Sequence, residues 1–136
     1  MKRINYKILL LFIVFNSCSN KEQKLKLVNI EIEDYYFFNE ILLEKNTEFV
    51  LNPKSENVKI TNKEFTTEYS FFYYKKQKEI SIIKEDMVIK FYDIRFKVDT
   101  VFLKTTWLPE EFSINWKEEY WNYKRDGIEL TLVKVN

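Results

Sequence analysis

The feature that most constrains this chain is an apolar alternation of period two that recurs along its length. Phe65, Thr67, Tyr69 and Phe71 share one phase, and Ile94, Phe96 and Val98 alternate with Arg95, Lys97 and Asp99. Side chains two apart point the same way only in an extended strand, which then has one face to bury and one to wet. Similar runs cover 27–32, 47–51, 58–61, 64–74, 80–83, 87–92 and 94–103. Asn52-Pro53-Lys54-Ser55-Glu56-Asn57, Asn62-Lys63, Lys84-Glu85-Asp86 and Asp93 separate them as turn signals. Short strands at this spacing predict an all-β domain, a single small sandwich or barrel of mostly antiparallel strands. Phe71, Phe72, Tyr73 and Tyr74 in succession predict a strand covered on both faces. Lys75, Lys76 and Lys78 then guard that run against aggregation.

Two stretches read both ways. Over 34–46, Asp34 can cap a helix with Tyr35, Phe38 and Leu42 on one face. The aromatic run Tyr35 to Phe38 favours instead a strand leading into a loop, which is the expectation adopted. Over 109–125, a helix would have Pro109 at its first position, Glu110 and Glu111 at its positive end, and Lys124 and Arg125 at its negative end. As a strand, Phe112, Ile114 and Trp116 alternate with Ser113, Asn115 and Lys117, and a bulge at Glu118-Glu119 carries the phase to Trp121 and Tyr123. Asp126-Gly127 between apolar runs is a hairpin signal. That hairpin would set Trp121 against Leu132, Tyr123 against Leu130, Lys124 against Glu129 and Glu119 against Lys134. The strand reading is therefore adopted, an α+β fold with a helix near 109–124 being its alternative. Trp116 and Trp121 are then expected in the core. Trp107, before Leu108-Pro109 at a chain reversal, is expected to be exposed and is the candidate ligand-facing aromatic.

The start of the chain has a different character. Lys2, Arg3 and Lys7 precede an unbroken apolar run over 8–15, and Asn16, Ser17 and Cys18 lead into the polar stretch SNKEQK. A charged start, a short apolar core and a small-residue exit describe a secretory signal. The run is far shorter than the roughly 20 residues of a spanning helix. Phe15-Asn16-Ser17-Cys18 resembles the lipobox of bacterial lipoprotein precursors. Phe15 stands where Leu is usual, and Asn16 where a smaller residue is usual. The resemblance implies lipidation of Cys18 and cleavage before it. Ser19, with no Asp at that position, implies the outer membrane under the sorting rule of enteric bacteria. Cleavage after Ser19, which would discard Cys18, and an uncleaved anchor are the other readings. The organisation expected is a signal peptide over 1–17, a lipidated cysteine and tether over 18–26, and one β-rich domain over 27–136. The stretch 108–116 (LPEEFSINW) resembles a Leu-Pro, alternating, Trp segment of uncharacterised bacterial lipoproteins, which implies a strand there and no function.

The chain holds 22 Lys plus Arg against 21 Asp plus Glu, and loss of Lys2, Arg3 and Lys7 makes the mature chain slightly acidic. Nucleic-acid binding needs concentrated positive charge, so no nucleic-acid partner is expected. Cys18 is the only cysteine and there is no histidine. Disulfides within the chain, Ser-His or Cys-His pairs and ordinary zinc sites are thereby excluded. One glycine, Gly127, cannot build a phosphate-cradling loop, a dinucleotide fingerprint or a nucleophile elbow. No DxDxDG-like loop offers a calcium site. Glu110-Glu111 and Glu118-Glu119 are the only paired acids weighed for glycosidase chemistry, and adjacent acids read better as solvated charge. The aromatic clusters read as the core of a β-domain, with a sugar-stacking platform as the alternative.

These residues imply a small, lipid-anchored cell-envelope protein that binds or scaffolds and is not an enzyme. No cofactor and no metal is expected. The membrane is its partner through the N-terminal lipid, with an envelope protein, a glycan or a toxin as the further partner. A lipocalin-like carrier of an apolar ligand is the alternative.

Overall fold

A computed structural model describes residues 22–110 and 118–135. The alternation seen in the sequence becomes ten strands: β1 (Gln23–Ile30), β2 (Tyr35–Phe37), β3 (Ile41–Leu43), β4 (Glu48–Asn52), β5 (Asn57–Thr61), β6 (Thr66–Tyr74), β7 (Glu79–Lys84), β8 (Met87–Lys97), β9 (Thr100–Thr105) and β10 (Ile128–Lys134). A helix, α1 (Glu118–Asp126), precedes β10. Eight strands close an antiparallel barrel in the order β1-β10-β9-β8-β7-β6-β5-β4, and β2-β3 form a separate two-stranded sheet. Closure falls on β1: Leu25 lies opposite Phe49 of β4 on one side and Lys134 of β10 on the other. A closed barrel leaves no long sheet edge to aggregate.

Alternate residues fill the interior, among them Leu25 and Leu27, Phe49 and Leu51, Val58 and Ile60, Ile80 and Ile82, Val101 and Leu103, and Leu130 and Leu132. Burying each such side chain contributes about 1.5–3 kcal/mol. The β2–β3 hairpin lies between β1 and β4 in sequence and closes one end of the barrel. Its Tyr35, Phe37, Phe38, Ile41 and Leu43 are all buried. Phe37 meets Tyr69 edge-on at 5.6 Å and Phe91 at 5.8 Å, and Phe38 stacks on Tyr69 at 4.8 Å. Asn62 Nδ2 donates to the Leu42 carbonyl at 3.1 Å, and its Oδ1 accepts from the Glu64 and Phe65 amides, tying the β5–β6 turn to the plug. Because strands alternate in direction, this plugged pole holds the β5–β6 and β7–β8 turns. The opposite pole holds the β4–β5, β6–β7 and β8–β9 turns together with the start of β1 and the end of β10.

Several expectations change. The stretch 34–46 is strand, as expected, but folds back as a hairpin where a loop was foreseen. β1 begins at Gln23, inside the stretch expected to be tether, because Lys24 and Lys26 face outward while Gln23 and Leu25 face inward. A register shift between Leu27 and Asn29 then changes the phase of β1. Asp93 does not end a strand: β8 runs through it with a register shift, and the reversal falls at Val98-Asp99. Phe72 and Tyr74 are exposed, so the aromatic run is not covered on both faces. A closed barrel gives its strands one inner face only.

The expected C-terminal hairpin is corrected most. Residues 118–126 are helix, so neither Lys124–Glu129 nor Glu119–Lys134 is a cross-strand pair. Trp121 is 64% exposed and does not face Leu132, which pairs with Leu27 and Val101. Gly127, at φ 80°, is the residue just past the helix end, and its amide donates to the Tyr123 carbonyl at 2.8 Å. A left-handed glycine serves a hairpin turn and a helix stop equally well, which is why Asp-Gly misled. Phe112, Ile114 and Trp116, like residues 1–21 with Cys18, lie outside the described residues.

Backbone strain yields a pair of opposite expectations. Val98 is β-branched yet sits at φ 57°, a left-handed conformation that costs about 1–2 kcal/mol for such a residue. Val98→Gly should therefore raise unfolding stability by about 0.5–1 kcal/mol in urea titrations, after glycine's larger unfolded-state entropy is allowed for. A Cβ on Gly127 would overlap the Tyr92 hydroxyl and stand 3.3 Å from the Thr105 carbonyl. Gly127→Ala should lower stability by about 2 kcal/mol or more, measured the same way.

Candidate functional site

β8 and β9 do not run together for their whole length. Their paired register extends from Lys97↔Thr100 to Tyr92↔Lys104, and among the described residues Met87 to Phe91 have no ladder partner on the β9 side. Beyond Lys104 the chain leaves the wall: Thr105 is buried and its Oγ1 accepts the Trp107 amide at 3.1 Å. A groove of about 370 Å³ opens where the two strands part. Val88, Lys90 and Tyr92 of β8 and Glu79 of β7 form one wall, Thr105 to Trp107 the other, and Lys124 of α1 borders it.

Trp107 is held from behind by the plug. The Tyr35 hydroxyl donates to its carbonyl at 2.8 Å, and its ring stands edge-on to Tyr35 at 5.7 Å and to Phe37 at 6.4 Å. Burial pushes the Tyr35 phenol well above its ordinary range, so it stays a neutral donor. Tyr92 is also raised, by burial first and then by the charges of Asp93 and Asp126. Period two puts Val88, Lys90 and Tyr92 on one outward face. That face was legible in the sequence, but the parting of β8 from β9 was not. Trp107, the candidate ligand-facing aromatic, is half-buried and lines the groove; the tryptophan most exposed among the described residues is instead Trp121, edge-on to Tyr120 at 5.2 Å.

Toward β6 the wall is aromatic. Phe72 is 40% exposed and lies opposite Ser81, which lies opposite Lys90; Tyr74 lies opposite Glu79. Groove and shelf together offer stacking rings, two ammonium groups and one carboxylate. Such a surface can pack against and hydrogen-bond a ligand. Among the described residues no group of three or more His, Cys, Asp or Glu side chains could hold a metal ion. Glu110 is exposed, and its amide donates to Asn39 Oδ1 at 2.7 Å.

The interior differs sharply. A cavity there of about 40 Å³ is lined wholly by apolar side chains such as Phe49, Ile80, Phe91 and Leu103. On the outside of the plug, Glu40 accepts hydrogen bonds from Tyr69 and Lys84. Desolvation raises the Glu40 carboxyl, but the Lys84 and Tyr69 hydrogen bonds and the Lys84 charge outweigh it and hold the carboxyl below its ordinary range. Burial and the Glu40 hydrogen bond push the Tyr69 phenol up. No helix among the described residues is long and apolar enough to cross a membrane. No family model matches the chain, and no curated protein and no solved structure matches it.

Two measurements check this geometry. Trp107→Ala should cost about 2 kcal/mol, since it removes a ring packed on three plug aromatics, whereas Trp121→Ala should change stability by less than about 0.5 kcal/mol; thermal melts of both variants decide. Glu40→Gln should lower the melting temperature at pH 7. A carboxyl whose folded pKa is depressed contributes fully above its unfolded value and loses that contribution as pH falls through the folded one. The gap between wild type and Glu40→Gln should thus close below pH 4.5, the ordinary Glu value. Both partners are partly exposed, so the gap should also shrink in high salt.

Proposed function

We propose that this protein is a lipid-anchored component of the bacterial cell envelope whose barrel binds a partner on its outer wall and catalyses nothing. The observation that carries the binding mode is the contrast between a filled interior of about 40 Å³ and an outer groove of about 370 Å³. Ligand sites in proteins commonly occupy roughly 300–1,000 Å³. The groove has that size and the interior does not. The anchor rests on Cys18 behind its apolar run, where a lipid would tether the barrel to a membrane.

An eight-stranded meander is also the architecture of carriers such as the lipocalins, which hold a small ligand inside the barrel. That reading is favoured here only by strand number and connectivity. The side chains that close the interior weigh toward binding at the wall. Within that reading the partner is another envelope component, a protein or a glycan, that offers a flat or extended apolar face to Trp107 and Phe72 and acceptors to Lys90 and Lys124.

Intact-mass measurement of the purified mature chain should show a diacylated or triacylated Cys18; a chain beginning at Asn20, or one without lipid, removes the anchor. A photo-crosslinking residue at Val88, in the groove, should give a discrete adduct in growing cells, and one at Lys63, at the plugged pole, should not. For a glycan partner, Trp107 fluorescence should change on titration with envelope polysaccharide, and Trp107→Ala should abolish the change. Failure of both, with an apolar small molecule co-purifying in equal amount, moves the conclusion to the carrier reading.

A further inference from the structure

Charge is divided between the two poles of the barrel. The plugged pole carries Glu31, Glu33 and Asp34 before β2, Glu40 and Glu44 about β3, Glu64, Glu85 and Asp86 in its turns and Asp126 before β10, against Lys45, Lys63 and Lys84 and against Lys124 and Arg125 at the end of α1. At the opposite pole the β6–β7 turn carries Lys75, Lys76 and Lys78, and the β4–β5 turn carries Lys54; Glu56 and Asp99 are the acids of its turns. Lys24, Lys97 and Lys134, at strand ends of this basic pole, are all exposed, with Glu22 before β1 and Glu79 at the start of β7 as the acids beside them. The same pole presents apolar tips. Val98, 76% exposed, forms the β8–β9 turn, and Tyr74, 45% exposed, ends β6. A β-branched residue held at φ 57° with its side chain in water is costly on both counts.

The start of β1 lies at this basic pole, and Cys18 precedes Gln23 by five residues. Extended chain spans at most about 3.6 Å per residue, so a lipid on Cys18 would hold the basic pole within roughly 18 Å of the membrane surface. The geometry points to the basic pole as a docking face for anionic phospholipid headgroups, with Val98 and Tyr74 entering the interface and the acidic, plugged pole turned away. This rests on the anchored reading above and adds an orientation to it. Lysines near an anionic bilayer are attracted over a Debye length, and carboxylates are repelled over the same distance. Aromatic side chains with a polar tip favour the headgroup level. The groove then opens on the side of the barrel, where neither membrane nor plug covers it.

The lipidated chain has no free thiol other than one introduced, because Cys18 is the only cysteine. Mature protein should be reconstituted into vesicles of phosphatidylglycerol and phosphatidylethanolamine that contain a headgroup-labelled energy acceptor. A donor dye is placed at Lys76→Cys in one sample and at Glu85→Cys in another. Transfer should be about threefold or more stronger from position 76, since the poles stand roughly 20 Å apart along the barrel axis. With the donor at Val98→Cys, adding Lys54→Glu and Lys78→Glu should lower the transfer to that of a tethered but undocked barrel, as should phosphatidylcholine vesicles. Equal transfer from positions 76 and 85, stronger transfer from 85, or indifference to the Lys→Glu changes overturns the docking face. Intact mass of the same samples separates the two claims. If lipid is present and transfer is equal, the docking face alone fails. If lipid is absent, the anchored reading fails, and co-sedimentation of the same chain with phosphatidylglycerol vesicles then decides the docking face: salt-sensitive binding lost in the Lys→Glu variant keeps it, and no binding overturns it.

Discussion

The rest of the structure depends on the aromatic plug. An eight-stranded barrel of these short strands has two mouths, and the hairpin between β1 and β4 drives Tyr35, Phe37 and Phe38 into one of them. Without that hairpin, Leu27, Ile60, Phe91 and Ile128 would line a wet opening, and a chain with no disulfide has only such burial to hold it. The plug is fastened at several points. Tyr35 donates to the Trp107 carbonyl, Asn62 reaches the Leu42 carbonyl, and Glu40 takes hydrogen bonds from Tyr69 and Lys84. The first of these also places the groove, because the hydrogen bond that seats Tyr35 fixes the backbone of Trp107.

Filling the interior and opening the wall are two results of one arrangement. Hairpin and inward side chains leave about 40 Å³ inside, while the path from Thr105 to Trp107, drawn toward the plug, leaves β8 without its neighbour over Met87 to Phe91. The ring of Trp107 and the outward row of β8 therefore face one another across about 370 Å³. Farther along, where β8, β9 and β10 pair fully, the same outer surface is sealed by charge. Arg95 pairs with Glu129 and lies over the Phe102 ring at 5.3 Å, and Asp93 stands 3.6 Å from Arg95 and 3.9 Å from Lys104. Such exposed pairs add little stability, but they leave the groove region as the apolar part of this wall.

Much of the barrel was legible as pattern. The strands at 47–51, 58–61, 64–74 and 80–83 appear within a residue or two of their expected places, since alternation reports which side of a sheet each residue takes. The errors have physical causes. Asp93 looked like a break because the sequence cannot tell a turn from a bulge, and only the pairing with β9 decides which forms. The helix before β10 carried its C-terminal signals in plain view, Lys124, Arg125 and Gly127. It was passed over because Gly127 at positive φ fits a hairpin as well. The groove was less legible still: Trp107 could be singled out, whereas Val88, Lys90, Tyr92 and Lys124 carry no motif and become a site only by meeting.

The sequence by itself determined that this chain would be all-β, would lack the histidines, thiols and glycines of readable catalytic sites, and would carry an apolar run over 8–15 with one cysteine behind it. These follow from residue identity and from periods of two, which are local properties. Only the tertiary structure decided that the sheet closes into a barrel, that Tyr-Tyr-Phe-Phe becomes a plug, and that lysines from two separate turns and three strand ends gather at the pole where β1 begins. Those outcomes depend on which strands pair and in what register, and the pairings of β1 that close the barrel join residues far apart in the chain. Closure between β1 and β10 brings Leu27 opposite Leu132, a contact that neither end of the sequence announces alone.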